Sequence, residues 1–114
     1  MDNEEKKEFY RGGNNFQAKQ NEVRIDPETG YVKPTHGISV HLDGDLMRRF
    51  GGAYKIVFFP ETLTMIQRGR DRQHYEIVPR EANLLTFEQY QTELSKIQAI
   101  LEEENNGNQT DTNL

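Results

Sequence analysis

The stretch HYEIVPREANLLTFEQYQTELSKIQAIL, residues 74–101, joins an alternating segment to a segment of helical period and decides the fold class. In its second part apolar residues recur at steps of three and four, which predicts a helix from Thr86 to Leu101 with one buried stripe. Thr86 and Gln89 fit the capping-box pattern that marks a helix start. The first part, His74 to Pro79, alternates polar and apolar residues and predicts a strand. The sequence therefore predicts an α+β protein with a C-terminal helix.

Most of the predicted sheet lies upstream of this helix, where short alternating segments are bounded by turn residues. The predicted strands are Glu8 to Arg11, Glu22 to Ile25, Tyr31 to Lys33, Gly37 to Leu42, Tyr54 to Phe59 and Leu63 to Gln67. The segment DPETG, residues 26–30, predicts a hairpin loop, because proline fixes φ and glycine accepts a positive φ. A short middle helix is predicted from Asp45 to Phe50, with a glycine pair as its stop.

Length and composition indicate one folded domain with polar ends. The chain has 114 residues, and its hydrophobic content of 33% is below that of an average domain. The low value arises at the ends, since residues 1–8 and 102–114 hold almost no apolar side chains. We expect a disordered acidic N-terminus over residues 1–8, a folded domain over 9–101 and a disordered polar tail over 102–114.

Charge and cysteine content limit the cellular compartment and the kinds of partner that this chain can have. The formal net charge is −5, and because the acidic residues cluster at the ends, the domain lacks the basic surface typical of nucleic-acid binding. The chain has no cysteine, which suits a reducing compartment. It also has no apolar run of the ~20 residues that cross a bilayer and no basic signal-peptide start. These features predict a cytoplasmic site of action without a membrane partner.

Two of the predicted strands carry a polar pair on one face. Ser39 and His41 alternate with apolar residues in one strand, and His74 and Glu76 do so in another. If the two strands lie close together, these side chains line a cleft. The alternative is that they are the solvent-facing residues of a sheet with one wet side.

An arginine followed by two glycines closes the first predicted strand. The Arg11 guanidinium and the backbone amides of Gly12 and Gly13 could hold an anion, although a glycine turn after a strand often has no such purpose. The chain has no histidine pair at metal-ligand spacing, no phosphate-binding loop of the Walker type and no nucleophile-elbow serine. We therefore expect no metal.

Three motifs occur in a fixed order before the C-terminal helix: Phe9-Tyr10-Arg11-Gly12-Gly13, Gly37-Ile38-Ser39-Val40 and His74-Tyr75-Glu76-Ile77-Val78-Pro79. Together with the helix they resemble the small type VI secretion effector toxins with an ADP-ribosyltransferase-like fold. The resemblance spans nearly all of the predicted domain and implies a compact split antiparallel sheet around a cleft that binds NAD as co-substrate. The chain differs in having Ile38 where the toxins have threonine, and in lacking their insertions between the first two motifs.

The resemblance carries over to Arg11, Ser39 and His74 and, less directly, to Tyr75 and Glu76, while Gly12 is a candidate because it follows Arg11 in the glycine turn. The catalytic candidates are Ser39, His74 and Glu76, and the NAD-binding candidates are Arg11, Gly12 and Tyr75. The implied function is that of a small bacterial toxin that transfers ADP-ribose from NAD or hydrolyses NAD. Such a protein would be delivered by a secretion system and neutralised by an immunity protein.

A second interpretation is a catalytically inactive protein-binding module that neutralises a toxin or regulates a partner. Its contact surface would be Phe58, Phe59 and the basic segment Arg68 to Arg72, because aromatic residues and arginines are enriched at interfaces. Contact of the same arginines with nucleic acid is a third interpretation, which the near-neutral domain disfavours.

Overall fold

The computed structural model describes residues 7–102. Within that range the chain forms six strands and two α-helices, with one-turn 3-10 helices at Gln20–Glu22 and Arg48–Phe50. In chain order the elements are β1 (Tyr10–Gly12), β2 (Ile38–His41), α1 (Gly44–Met47), β3 (Ala53–Phe58), β4 (Leu63–Gln67), β5 (His74–Pro79), α2 (Phe87–Leu94) and β6 (Gln98–Glu102). The predicted α+β class and the antiparallel pairing of the strands are confirmed.

The strands of the described residues form one sheet in the order β4-β5-β2-β1-β3-β6. Its two halves meet where β1 pairs with β2, and the register of that pairing holds a single residue pair, Tyr10 with His41. The sheet is therefore continuous but almost divided between β1 and β2. Arg11 bridges this junction, because its Nη1 donates a hydrogen bond of 2.7 Å to the carbonyl oxygen of Ser39.

The pairing of β2 with β5 places the two polar strand faces together. Ser39 lies opposite Glu76, and Ile38 lies opposite Ile77. The two isoleucines are fully buried and Ser39 is exposed, as the alternation of the sequence predicts. β4 and β5 begin and end at the predicted residues.

Helix α2 supplies the largest side chain of the core. Tyr90 and Leu94 are fully buried in one cluster with Ile38 and Ile77. The Tyr90 hydroxyl donates to the carbonyl oxygen of Ile77 at 2.6 Å and accepts from the Ile38 N–H at 3.4 Å. The predicted capping box at Thr86 is present, so the start of the helix is confirmed.

The predicted end of this helix at Leu101 is wrong. α2 ends at Leu94, the chain turns, and β6 pairs with β3 as the last element of the described residues. Ile97 is buried in the turn, so its place in the apolar stripe does not require a helix. Pairing with β3 satisfies backbone groups along a strand edge that a longer helix would leave open.

Two predicted strands before β2 are replaced by loops. The segment from Glu22 to Ile25 and the segment from Tyr31 to Lys33 are joined by the isolated bridge of Ile25 with Val32. The turn between them is confirmed, since the Asp26 N–H donates to the Tyr31 carbonyl at 2.9 Å. These strands are absent because the segments pair with each other and with the start of α2 at isolated residues, outside the main sheet.

Other boundaries shift by one or two residues. The first strand is Tyr10–Gly12 instead of residues 8–11, and the short middle helix divides into α1 and a 3-10 turn that ends at Gly51 with φ of 98°. Of the two predicted disordered ends, residues 1–6 and 103–114 lie outside the described range, while Glu102 closes β6. No helix within residues 7–102 is long and apolar enough to cross a membrane.

Candidate active site

Ser39, His74 and Glu76 come together at the paired strands β2 and β5. Ser39 and Glu76 line a polar cleft of about 210 Å³, which Arg68 also lines. The hydroxyl of Ser39 and Nε2 of His74 are 3.0 Å apart. Three of the six predicted site residues thus share one place.

The position of the hydrogen on His74 follows from its second ring nitrogen. Nδ1 is 2.9 Å from the carbonyl oxygen of Arg68, and a carbonyl oxygen only accepts hydrogen bonds. In the neutral ring the hydrogen is therefore on Nδ1, and Nε2 is an acceptor to which the Ser39 hydroxyl donates. The ring is held in one orientation, with a basic nitrogen next to the serine.

Glu76 is a nearly buried carboxylate whose two oxygens have different surroundings. Oε1 accepts hydrogen bonds of 3.0 Å from the Gly37 N–H and from Nε of Arg68. Oε2 lies 3.9 Å from Nε2 of His74. One oxygen is held by two hydrogen bonds. The other lies near His74 and accepts no hydrogen bond from the described residues.

Arg11 lies at the junction of β1 and β2, where it contacts the backbone of Ser39 without lining the cleft itself. Its Nε donates to the carbonyl oxygen of Asn15 at 2.7 Å, in addition to the bond from Nη1 to Ser39. Burial lowers the pKa of the Arg11 guanidinium from its usual value, but the group stays charged in proteins. Two of its five N–H groups donate to backbone carbonyls, and the guanidinium lies over the ring of Phe16.

Gly12 and Tyr75 lie away from the other predicted residues. A side chain at Gly12 would place its Cβ 2.6 Å from Cβ of Phe50, so this glycine permits close packing of the 3-10 turn on β1. Tyr75 accepts a hydrogen bond of 3.0 Å from Nζ of Lys7 and lines a groove that Ser39 and Glu76 do not line.

Six further residues line the cleft and were not among the predicted site residues: Asn21, Glu22, Arg24, His36, Gly37 and Arg68. Arg68 pairs with Glu76, and Arg24 and His36 line the same cleft. Partial desolvation and the charges of Arg68 and Arg24 lower the pKa of His36. The hairpin of β4 and β5 was predictable from sequence, and it places Arg68 next to the start of β5. Arg24 lies in a segment that was predicted as a strand and is a loop in the structure, and His36 lies in the loop before β2.

His41 fixes the loop that carries His74 into the site. The sequence placed it on the polar face with Ser39, but it is only 4% exposed. Its Nδ1 accepts from the Asp43 N–H at 2.9 Å, so Nε2–H donates to Oδ2 of Asp71 at 2.7 Å. The Asp71 carbonyl in turn accepts from the His74 N–H at 3.0 Å. His41 is thus part of the support of the site.

A second concave surface is an apolar groove of about 480 Å³ lined by Phe58, Phe59 and Tyr75. Phe58 is 47% exposed, as an interface residue requires. The charged residues that line the groove in the described part of the chain are Lys7 and Arg80, both cationic. The basic segment Arg68 to Arg72, which was predicted to belong to this surface, does not line the groove. Its first residue, Arg68, lines the cleft instead.

Within the described residues, no three His, Asp or Glu side chains are grouped so that they could hold a metal ion. Comparison with protein families, curated proteins and solved structures finds no match to this chain.

Proposed function

We propose that this chain is an ADP-ribosyltransferase-like enzyme that binds NAD at the cleft of β2 and β5 and cleaves the bond between nicotinamide and ribose. The observation that supports this best is the position of His74 beside Ser39 and Glu76, the two predicted site residues that line the cleft. A serine, a histidine and a carboxylate alone suit several reactions. The choice of NAD as substrate therefore rests on the three motifs that resemble the effector toxins.

In this proposal Glu76 stabilises the charge that develops during cleavage. Departure of nicotinamide leaves a sugar with oxocarbenium character, and a fixed carboxylate oxygen nearby lowers its free energy. Oε2 serves this purpose, because Oε1 is held by Gly37 and Arg68. The bond electrons leave with nicotinamide, and an acceptor oxygen or nitrogen then forms the new bond to the sugar.

Ser39 orients the ribose, and His74 takes up the proton of the acceptor. The Ser39 hydroxyl can turn from Nε2 of His74 to a ribose hydroxyl, which places the sugar next to Glu76 and frees the lone pair of Nε2. Nε2 then takes the proton of the attacking acceptor as a general base. If the acceptor is water, the product is free ADP-ribose; if it is a side chain or a base, the product is an ADP-ribosylated target.

Arg11 binds a phosphate of the dinucleotide in this proposal. Its three remaining N–H groups allow one or two hydrogen bonds to phosphate oxygens without loss of those to Asn15 and Ser39. A guanidinium held by backbone carbonyls is already ordered before the ligand arrives, which reduces the entropy cost of binding.

The release of nicotinamide from NAD tests the proposal. We expect turnover by the full chain and a loss of about a hundredfold in kcat in Ser39→Ala and in Glu76→Gln. Glutamine keeps an oxygen for the Gly37 N–H but removes the charge. The matched controls are Ser95→Ala at the end of α2 and Glu88→Gln on its exposed face, and both should keep full activity.

Two outcomes contradict the proposal. One is the absence of nicotinamide release together with no change in melting temperature as NAD is added, since a ligand of the native state raises that temperature. The other is turnover that Ser39→Ala and Glu76→Gln leave intact.

For the toxin role we expect that expression of the wild type slows bacterial growth. Expression of Ser39→Ala should not slow growth, and an immunity protein should restore growth in cells that express the wild type.

A second candidate function is that of a protein-binding module, which the apolar groove favours. Phe58 and its neighbours form a concave surface with two cations and, among the described residues, no acidic lining. An acidic protein partner with an apolar anchor fits such a surface. Harmless expression, no response to NAD and stable complex formation that Phe58→Ser abolishes would favour this function over the enzyme.

A further inference from the structure

Strand β6 is an open edge of the sheet. It pairs with β3 on one side, and no other strand of residues 7–102 pairs with its second side. Its central residue, Ile100, and the next residue, Leu101, are apolar and exposed, with 55% for Ile100 and 46% for Leu101. They are neighbours in a strand and so point to opposite faces, and the rest of residues 7–102 leaves the edge uncovered on both.

Natural sheets usually protect such an edge. Common devices are a charged side chain or a proline in the middle of the strand, or a bulge that turns the edge away. In β6 the charge lies at the end, in Glu102, and the irregular pairing with β3 lies at the opposite end, next to Gln98. The middle of the strand is therefore a ready template for another strand.

The sequence of β6 fits a second copy of itself. In an antiparallel pair centred on Ile100, the two Ile100 residues face each other, Ala99 faces Leu101, and Gln98 faces Glu102. A shift by one residue would place an apolar side chain opposite Gln98 or Glu102. The centred register is therefore the one that matches apolar with apolar and polar with polar.

The charges flanking the strand agree with the same arrangement. Lys96 before β6 is paired with Glu93, and Glu102 at its end is paired with Lys55, so antiparallel pairing brings together side chains whose charges are already compensated within each copy. We propose that the protein forms a two-fold dimer in which the β6 strands of two copies pair antiparallel about Ile100. Such an interface is isologous and closes after two copies.

The proposed dimer leaves the candidate active site open. β2 and β5 lie in the other half of the sheet from β6, with β1 and β3 between them. The inference is independent of the NAD chemistry, and each can fail without the other.

Cysteine trapping tests the register, because the chain has no cysteine of its own. Paired residues on neighbouring strands have Cβ atoms about 5 Å apart, within reach of a disulfide. Ile100→Cys is expected to form a covalent dimer under mild oxidation. In Gln98→Cys the two cysteines would be about 13 Å apart and should not form one, whereas the double variant Gln98→Cys/Glu102→Cys should.

Sedimentation velocity tests the dimer itself. We expect a mass that rises to twice that of the chain with concentration, and loss of this rise in Ile100→Glu. That glutamate would lie opposite Lys55 within the sheet, so the fold should tolerate it, while two glutamates would face each other at the dimer axis. Val57→Glu is the control, since Val57 is 51% exposed but lies on β3, and it should remain dimeric.

A wild-type chain that stays monomeric over the whole concentration range overturns the proposal, as would happen if another segment of the chain covered β6. Covalent dimers of Gln98→Cys alone, or a dimer that persists in Ile100→Glu, overturn it as well.

Discussion

Glu76 combines burial with a negative charge, and its neighbours explain how the fold tolerates this. A buried carboxylate is unfavourable unless hydrogen bonds and an opposite charge replace its water. Arg68 and the Gly37 N–H both reach Oε1 at 3.0 Å and supply this replacement on one oxygen. The second oxygen accepts no hydrogen bond from the described residues and lies 3.9 Å from Nε2 of His74, and in our proposal it faces the ribose of the ligand.

Tyr90 gives a stability prediction at the same scale. Its buried hydroxyl bonds to the Ile77 carbonyl, and burial raises its pKa far above the usual value. Tyr90→Phe leaves that carbonyl without this partner, so we expect a loss of about 1–3 kcal/mol in the free energy of unfolding. Urea denaturation measures it. Tyr54→Phe in β3 is the control, and equal losses in the two variants would contradict the role of the hydroxyl.

Asp71 gives a prediction of pH dependence. The hydrogen bond from His41, then that from the Gln73 N–H, lowers the pKa of its carboxyl from 3.8. A lowered native pKa means that the stabilisation is complete above the unfolded pKa and is lost as pH falls through the native pKa. We therefore expect the acid decline of unfolding free energy to be shallower in Asp71→Asn than in the wild type.

Denaturation in urea at a series of pH values below about 5 measures this decline. Glu81→Gln, an exposed carboxyl in the loop after β5, should keep the wild-type slope. A decline in Asp71→Asn as steep as that of the wild type would contradict the assignment.

At the scale of elements, the local sequence pattern predicted correctly those strands and helix ends that do not depend on a distant pairing partner. β4, β5 and the capped start of α2 lie where turn residues and periodicity placed them. The end of α2 could not be predicted, because Ile97 and Leu101 continue the helical stripe in sequence while the backbone of 98–102 pairs with β3. The same spacing fits both structures, and only the distant partner decides between them.

Gly37 gives a prediction at this scale, because it sets how closely β2 approaches β5 and α2. A Cβ at this position would lie 1.7 Å from the Ile77 carbonyl oxygen and 2.7 Å from the Tyr90 hydroxyl. We expect Gly37→Ala to lose more than about 4 kcal/mol of unfolding free energy, or to fail to fold.

The matched variant is Gly30→Ala, where φ is +80° and no atom lies within 4 Å of the added Cβ. Backbone strain alone should cost it about 1–2 kcal/mol. Chemical denaturation and soluble yield compare the two. Similar stability of both variants would contradict the close approach of the strands at Gly37.

At the scale of the whole molecule, the candidate site was predictable in its parts and not in its assembly. Alternation predicted that Ser39 shares a face with His41 and that His74 and Glu76 share another. It could not give the register that sets Ser39 opposite Glu76, since that depends on strand pairing across about 35 residues of intervening chain. Arg24 lines the cleft from a loop, and the sequence pattern does not predict the path of that loop.

The central claim is that NAD occupies the cleft that Ser39 of β2 and Glu76 of β5 line. The most direct measurement is titration of NAD into the ¹⁵N-labelled protein, followed by the chemical shifts of its backbone amides. We predict the largest changes at Gly37, Ser39 and Glu76, with Phe58 in the apolar groove unmoved. Unchanged shifts up to the highest NAD concentration, or changes confined to the groove, would contradict the claim.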